Sequence, residues 1–183
     1  MKRAVVMYES MYGNTHHVAT AIADGIGPDF EVTIVPVERT EPDLLEHLDL
    51  LVVGGPTHGH GMSRASTRHA AVEAANKPSS DLEVEPDAEG PGLREWFEGH
   101  DPIDLRAAAF DTRVDMSALV TGRASKGIAK KLRHAGATLV VEPESFLVTK
   151  DNQLEPGETE RALAWGSHVA RETTELLGLH DRA

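Results

Sequence analysis

The chain has 183 residues, a formal net charge of −12 and no cysteine. Its length suits one domain over residues 1–183 that buries about two thirds of the surface its unfolded form exposes, and the missing thiol excludes disulfides, iron–sulfur clusters, thiolate metal sites and a cysteine nucleophile. The acidic balance repels a nucleic-acid backbone, no stretch approaches the roughly 20 apolar residues of a membrane span and the start lacks a signal-peptide core, so the expectation is a soluble, cytoplasmic protein with neither nucleic acid nor membrane as partner.

Residues 3–8 are an apolar, β-rich run. Val18, Ala19, Ile22, Ala23 and Ile26 then recur on one face of a helix over residues 15–26, with Gly25 and Gly27 as stop signals. A second strand is expected over 31–37 and a short helix over 43–47. LDLLVVG, residues 48–54, has no polar alternation, the mark of a central strand covered on both faces. Residues 63–75 can form a helix. The following stretch, NKPSSDLEVEPDAEGPG at 76–92, is rich in Pro, Ser, Asp and Glu; it reads as an exposed, mobile segment that a protease should cut first. LREWFEG after it suggests a short helix whose Trp96 and Phe97 anchor an irregular insertion covering 76–100.

A fourth strand over 106–110 precedes a helix over 126–135 that Gly136 closes, with Ile128, Ala129 and Leu132 inward. Residues 137–141 and 145–149 read as a last strand interrupted at Pro143. The final helix, 158–177, places Ala162, Trp165, Val169, Thr173 and Leu176 at helical spacing and is expected to end at Gly178. Strands alternating with helices imply right-handed parallel crossovers, hence an α/β, doubly wound three-layer sandwich.

Ligands in such sheets bind at the carboxyl ends of the strands, and the first of those ends is SMYGNT, residues 10–15. It lies at a helix N-terminus, where free N–H groups and the helix dipole favour an anion. Ser10, Tyr12, Asn14 and Thr15 add neutral donors, and Gly13 permits a tight turn. The loop has no Lys or Arg and matches neither G-x-x-x-x-G-K-[ST] nor G-x-G-x-x-G. Neutral donors alone suit a terminal monophosphate better than a magnesium triphosphate.

Directly after an apolar strand, Ser10-Met11-Tyr12-Gly13-Asn14-Thr15 resembles the phosphate-binding loop of flavodoxins and related flavodoxin-like quinone reductases, whose pattern is Ser/Thr-x-Ser/Thr/Tyr-Gly-x-Thr. Gly54-Gly55-Pro56-Thr57-His58-Gly59 is similar to that family's Gly-x-Pro-Thr-x-x-Gly-type loop beside the flavin ring. The resemblance implies a flavodoxin-like three-layer sandwich with a five-stranded parallel sheet in the order 2-1-3-4-5, FMN as cofactor and electron transfer through the flavin. It also implies a cofactor-binding set of Ser10, Met11, Tyr12, Gly13, Asn14 and Thr15, then Pro56, Thr57, His58 and Gly59, with Thr112 and Arg113 from the end of the fourth strand. The chain departs from the family at the ring: residues 57–62 and 111–119 contain no aromatic side chain, which leaves Tyr12 the nearest one.

Arg113 could stabilise a reduced, anionic flavin, or pair with Asp111 or Asp115 at the surface. His16 and His17 read as ordinary first-turn residues, and Lys126, Lys130, Lys131 and Arg133 as a solvated basic face. His58 and His60 have no acidic neighbours that the sequence can place around them, so no metal site is expected. Three functions follow. An electron carrier would dock a redox partner protein over the ring edge. An FMN-dependent NAD(P)H:quinone oxidoreductase would alternate a nicotinamide and a small quinone in a slot that a homo-oligomer would complete. A domain that had lost flavin would serve as a binding module.

Overall fold

The computed structural model describes residues 1–99 and 102–180. In chain order it contains β1 (Lys2–Tyr8), α1 (Asn14–Ile26), β2 (Phe30–Pro36), β3 (Leu50–His58), β4 (Gly61–Met62), α2 (Ala65–Ala75) and α3 (Leu93–Gly99). These are followed by β5 (Arg106–Val114), α4 (Ala118–Thr121), α5 (Ala124–His134), β6 (Thr138–Leu139), β7 (Glu144–Val148) and α6 (Glu158–His180). β2, β1, β3 and β5 lie side by side and parallel. β6 pairs with the start of β5 and β7 with its end, so the two pieces together hold the fifth place. The order 2-1-3-4-5 is therefore observed, with its last strand broken as Pro143 suggests. After Val140 donates to the Ala107 carbonyl at 2.9 Å, the ladder cannot continue through a residue without an N–H.

Alternation on the central strands explains why LDLLVVG carries no polar residue. Ala4, Val6, Leu50, Val52, Ala108 and Phe110 face α1 and α6, where Ile22, Trp165 and Val169 complete a core. Val5, Met7, Leu51, Val53, Ala107 and Ala109 face the opposite layer, with Leu93, Trp96, Ile128 and Leu132. Both faces are thus dry, as a parallel sheet demands. α1 and α6 meet backbone to backbone: a Cβ on Gly25 would strike the Leu163 carbonyl, and one on Gly166 would strike that of Ile22.

Several boundaries differ from the sequence reading, each for a local reason. The short helix expected at 43–47 is a single 3-10 turn, Pro42–Leu45, flanked by extended residues at Glu41 and Glu46. The third strand continues past Gly54 to His58, pairing Gly55 with Asp111 and Pro56 with Thr112. Pro56 is tolerated because its pairing with β1 has already ended at Tyr8 and Gly54, so the missing N–H has no neighbouring strand to meet. The fourth strand likewise extends to Val114. α6 runs through Gly178 to His180, since a lone glycine costs a helix only about 1 kcal/mol and does not end it.

The acidic stretch 76–92 is expected to be exposed and without a packed core; the structure leaves residues 76–79 exposed and lays the part from Glu85 to Ala88 against the body. Ala88 is buried, the Glu85 N–H donates to the Met11 carbonyl at 2.9 Å, and Asp87 pairs with Arg39 at 2.8 Å. Polar composition did not prevent docking, because the contacts are hydrogen bonds and ion pairs rather than a hydrophobic face. Trp96 is buried beside Phe97, its ring edge-on at 5.0 Å, and anchors this region as expected.

Candidate functional site

The carboxyl ends of β1, β3, β5 and β7 all open on one side of the sheet and together enclose a pocket of about 180 Å³. Met11, Tyr12, Asn14 and Thr15 line it from the first loop, Pro56, Thr57 and His58 from the end of β3, and Thr112, Arg113 and Val114 from the end of β5. No carboxylate lies in its wall.

α1 opens on Gly13, held in the left-handed region at φ 90°, with no side-chain cap and no acidic residue in the first turn. The first main-chain bond of the helix runs from the His17 N–H to the Gly13 carbonyl at 2.9 Å. The N–H groups of Asn14, Thr15 and His16 therefore lack helical acceptors and, with the positive end of the helix dipole, form an anion-binding end. Ser10 shapes the turn by accepting the Gly13 N–H on its Oγ at 3.2 Å.

The side chains are more committed than their donor count implies. The Tyr12 hydroxyl donates to the Ala71 carbonyl at 2.7 Å, on α2. The Asn14 amide donates to the Asn152 carbonyl at 2.9 Å, leaving its second N–H. Thr15 Oγ1 and Thr112 Oγ1 share a buried hydrogen bond of 2.7 Å. Thr57 Oγ1 accepts the Ala124 N–H at 2.9 Å, tying the end of β3 to the start of α5. Beneath the pocket, Asp111 is fully buried and accepts the Ser125 N–H at 2.7 Å. Burial raises its pKa, against hydrogen bonds from Ser125 and Ser145 that lower it.

Arg113 pairs with neither Asp111 nor Asp115. Its Nη1 donates to the carbonyls of Val114, at 3.3 Å, and Met116, at 2.6 Å, while its Nε is buried with no partner. His58 has its pKa lowered chiefly by burial, with Arg68 acting in the same sense and Glu9 against it. Ser10, Gly13 and Gly59 stand outside the pocket wall. Ser10 faces a small recess with Glu9 and Glu85, Gly13 a shallow one with His16 and Glu85, and Gly59 a neighbouring hollow that shares His58. His16 is not an idle first-turn residue: its ring stacks on Tyr8 at 4.6 Å and its Nδ1 lies 3.1 Å from Glu85.

Val114, Val148 and Asn152 line the pocket but are absent from the sequence-derived set. The rule that located the first loop also applies to the end of the last strand, and Asn152, at φ 59°, is a residue type that tolerates the left-handed turn there. Glu9, buried with its Oε2 accepting the Leu93 N–H at 2.9 Å, was hidden because a lone carboxylate before a loop carries no motif.

No curated protein sequence matches the chain. Among solved structures, it is similar to a flavodoxin from the domain Archaea, with 21% identity, a TM-score of 0.65 and coverage of 94% of this chain and 99% of that one. A flavodoxin, WrbA-like protein from Agrobacterium tumefaciens aligns at 19% identity and a TM-score of 0.61, over 96% and 99% of the two chains. Oxidised Flavodoxin 1 from Bacillus cereus aligns at 22% identity and 0.62, over 95% and 98%. Those likenesses establish the fold, and the Flavodoxin family model matches residues 6–165, which include the first loop, the ends of β3 and β5, and β7. With most of its length under that match and the pocket at the strand ends, the chain belongs to the flavodoxin family.

Proposed function

We propose that this protein binds FMN in the pocket at the strand ends and acts in electron transfer. The observation that carries the reading is the donor set: an uncapped α1 N-terminus and Arg113 border one pocket whose wall contains no carboxylate. Those groups fit a monophosphate at the first loop and, beyond it, a ring that gains negative charge on reduction. When bound, FMN supplies reversible uptake of electrons.

The N–H groups of Asn14, Thr15 and His16 hold the phosphate, joined by the Thr15 hydroxyl, which Thr112 orients. Pro56, Thr57 and His58 border the ring, and the hydrogen bond from Ala124 keeps Thr57 in place. Arg113 offers fixed positive charge, because its Nη1 is already anchored on two carbonyls. The test is titration with FMN, followed by visible absorbance and flavin fluorescence. Saturable binding retained through desalting is expected. Absence of any bound flavin would overturn the reading and leave a flavin-free binding module.

A second reading, an FMN-dependent NAD(P)H:quinone oxidoreductase, draws on the openness of the pocket. Tyr12 is the one Phe, Tyr or Trp residue in its lining, and its hydroxyl is tied to Ala71. A ring without an aromatic lid leaves a face for a second flat reactant. Rapid oxidation of a nicotinamide that depends on added quinone would favour this reading over a carrier, whose oxidation would instead require a redox partner protein.

A further inference from the structure

Beside the candidate flavin pocket, and sharing His58 with it, lies a hollow of about 380 Å³. Its lining includes His58, His60, Arg64, Ser66, Thr67 and Arg94, and no acidic residue. That is unusual on a chain whose net charge is −12. Arg39, Arg68, Arg161 and Arg171 are engaged by carboxylates; Arg64 and Arg94 belong to the arginines that form no ion pair among the described residues, and these two share one hollow. Unneutralised cations gathered in a concave site are a binding potential left unspent inside the protein.

The hollow is also rigidly framed. Arg94 donates from Nε to the Ser63 carbonyl at 2.8 Å and from Nη2 to the Met62 carbonyl at 3.1 Å. Its Nη1 makes no hydrogen bond among the described residues, so an anion could be met without reordering the side chain. His60, a non-glycine residue at φ 75°, is bridged to Gly122, where a Cβ would strike the His60 backbone. This keeps a strained rim in place. The main-chain bonds of α2 begin with Thr67 and Arg68, both donating to the Arg64 carbonyl at 2.9 Å, which leaves the Ala65 and Ser66 N–H groups to add to the same field.

We propose that this hollow binds the phosphate group of a small, nucleotide-type reactant whose other end reaches the flavin pocket past His58; the last clause rests on the flavin reading, the phosphate site does not. The volume suits a mononucleotide-sized group. A small anion meets only the basic hollow, whereas an acidic macromolecule would also meet the repulsion of the surrounding acidic surface.

Adenosine 5′-diphosphate is the probe, titrated calorimetrically into FMN-saturated protein at low salt. One-to-one binding is expected, weakening as salt rises, with shifts of the His58 and His60 ring proton signals. Arg64 is exposed, so Arg64→Glu can be made without disturbing the core. It should weaken the diphosphate at least tenfold and leave FMN affinity unchanged, with Arg64→Ala between the two. No binding of the diphosphate, equal binding by Arg64→Glu, or displacement of FMN by the diphosphate would each overturn the proposal. Arg64-dependent binding of poly-L-glutamate in place of the diphosphate would also overturn it, by making the hollow a macromolecular docking site. If FMN does not bind but the diphosphate does, with the same dependence on Arg64, the phosphate site stands and the flavin reading falls.

Discussion

Thr15 offers the sharpest test of the phosphate assignment, because its hydroxyl has two separable roles. Thr15 and Thr112 are 2% and 5% exposed, and their hydroxyls bond to each other at 2.7 Å. Thr15→Val keeps the shape, removes the hydroxyl and takes from the Thr112 hydroxyl its buried partner. An unpaired buried hydroxyl costs about 1–3 kcal/mol of stability. A hydrogen bond to a charged phosphate contributes about 1.5–3 kcal/mol, which is roughly one to two decades in FMN affinity. Removing both hydroxyls in Thr15→Val/Thr112→Val should be nearly neutral for folding, since no buried donor is then left unmatched. The double variant is therefore expected to recover most of the stability but none of the affinity. Urea denaturation of the flavin-free proteins measures the first quantity, and fluorescence titration with FMN the second. Unchanged affinity in Thr15→Val would refute the placement of the phosphate at this hydroxyl. A double variant no more stable than the single one would refute the pairing argument.

Gly166→Ala separates two effects by sign. Helix propensity alone predicts a gain of about 1 kcal/mol, whereas the collision of the new Cβ with the Ile22 carbonyl forces α1 and α6 apart and should cost about 1–3 kcal/mol or more; a urea midpoint above that of the parent would rule out the close packing. For His58, burial lowers the pKa in the folded state, so on acidification the unfolded chain takes up the proton first. Its contribution is fully present above the unfolded value of about 6.5 and is lost as the pH falls below that value towards the folded pKa. His58→Gln should flatten the decline in urea midpoint between neutral and mildly acidic pH, and an unaltered slope would show that other groups carry it.

Much of this protein is decided by local pattern. The two-faced apolar strands, the helical spacing of Val18, Ile22 and Ile26, and the break at Pro143 follow from side-chain period and from proline's missing donor. They locate the strands and helices without reference to distant contacts, whereas the strand order is what the likeness of the two loops to flavodoxins implies. SMYGNT was legible for the same reason: a turn glycine and polar residues before a helix carry their consequence in the backbone itself. What each polar atom does was not legible, because hydrogen-bond partners lie far away in sequence. Thr15 meets Thr112, Tyr12 meets Ala71, and Asn14 meets Asn152, pairings that exist only after the strand ends converge. The acidic stretch shows the same limit, since composition reports that a segment lacks an apolar face but not that Arg39, the Met11 carbonyl and His16 wait where it passes. Charge follows suit: the sequence sums to −12, and only folding gathers Arg64, Arg94, His58 and His60 into one hollow, because electrostatic potential depends on where the charges lie, whereas net charge is a sum indifferent to position.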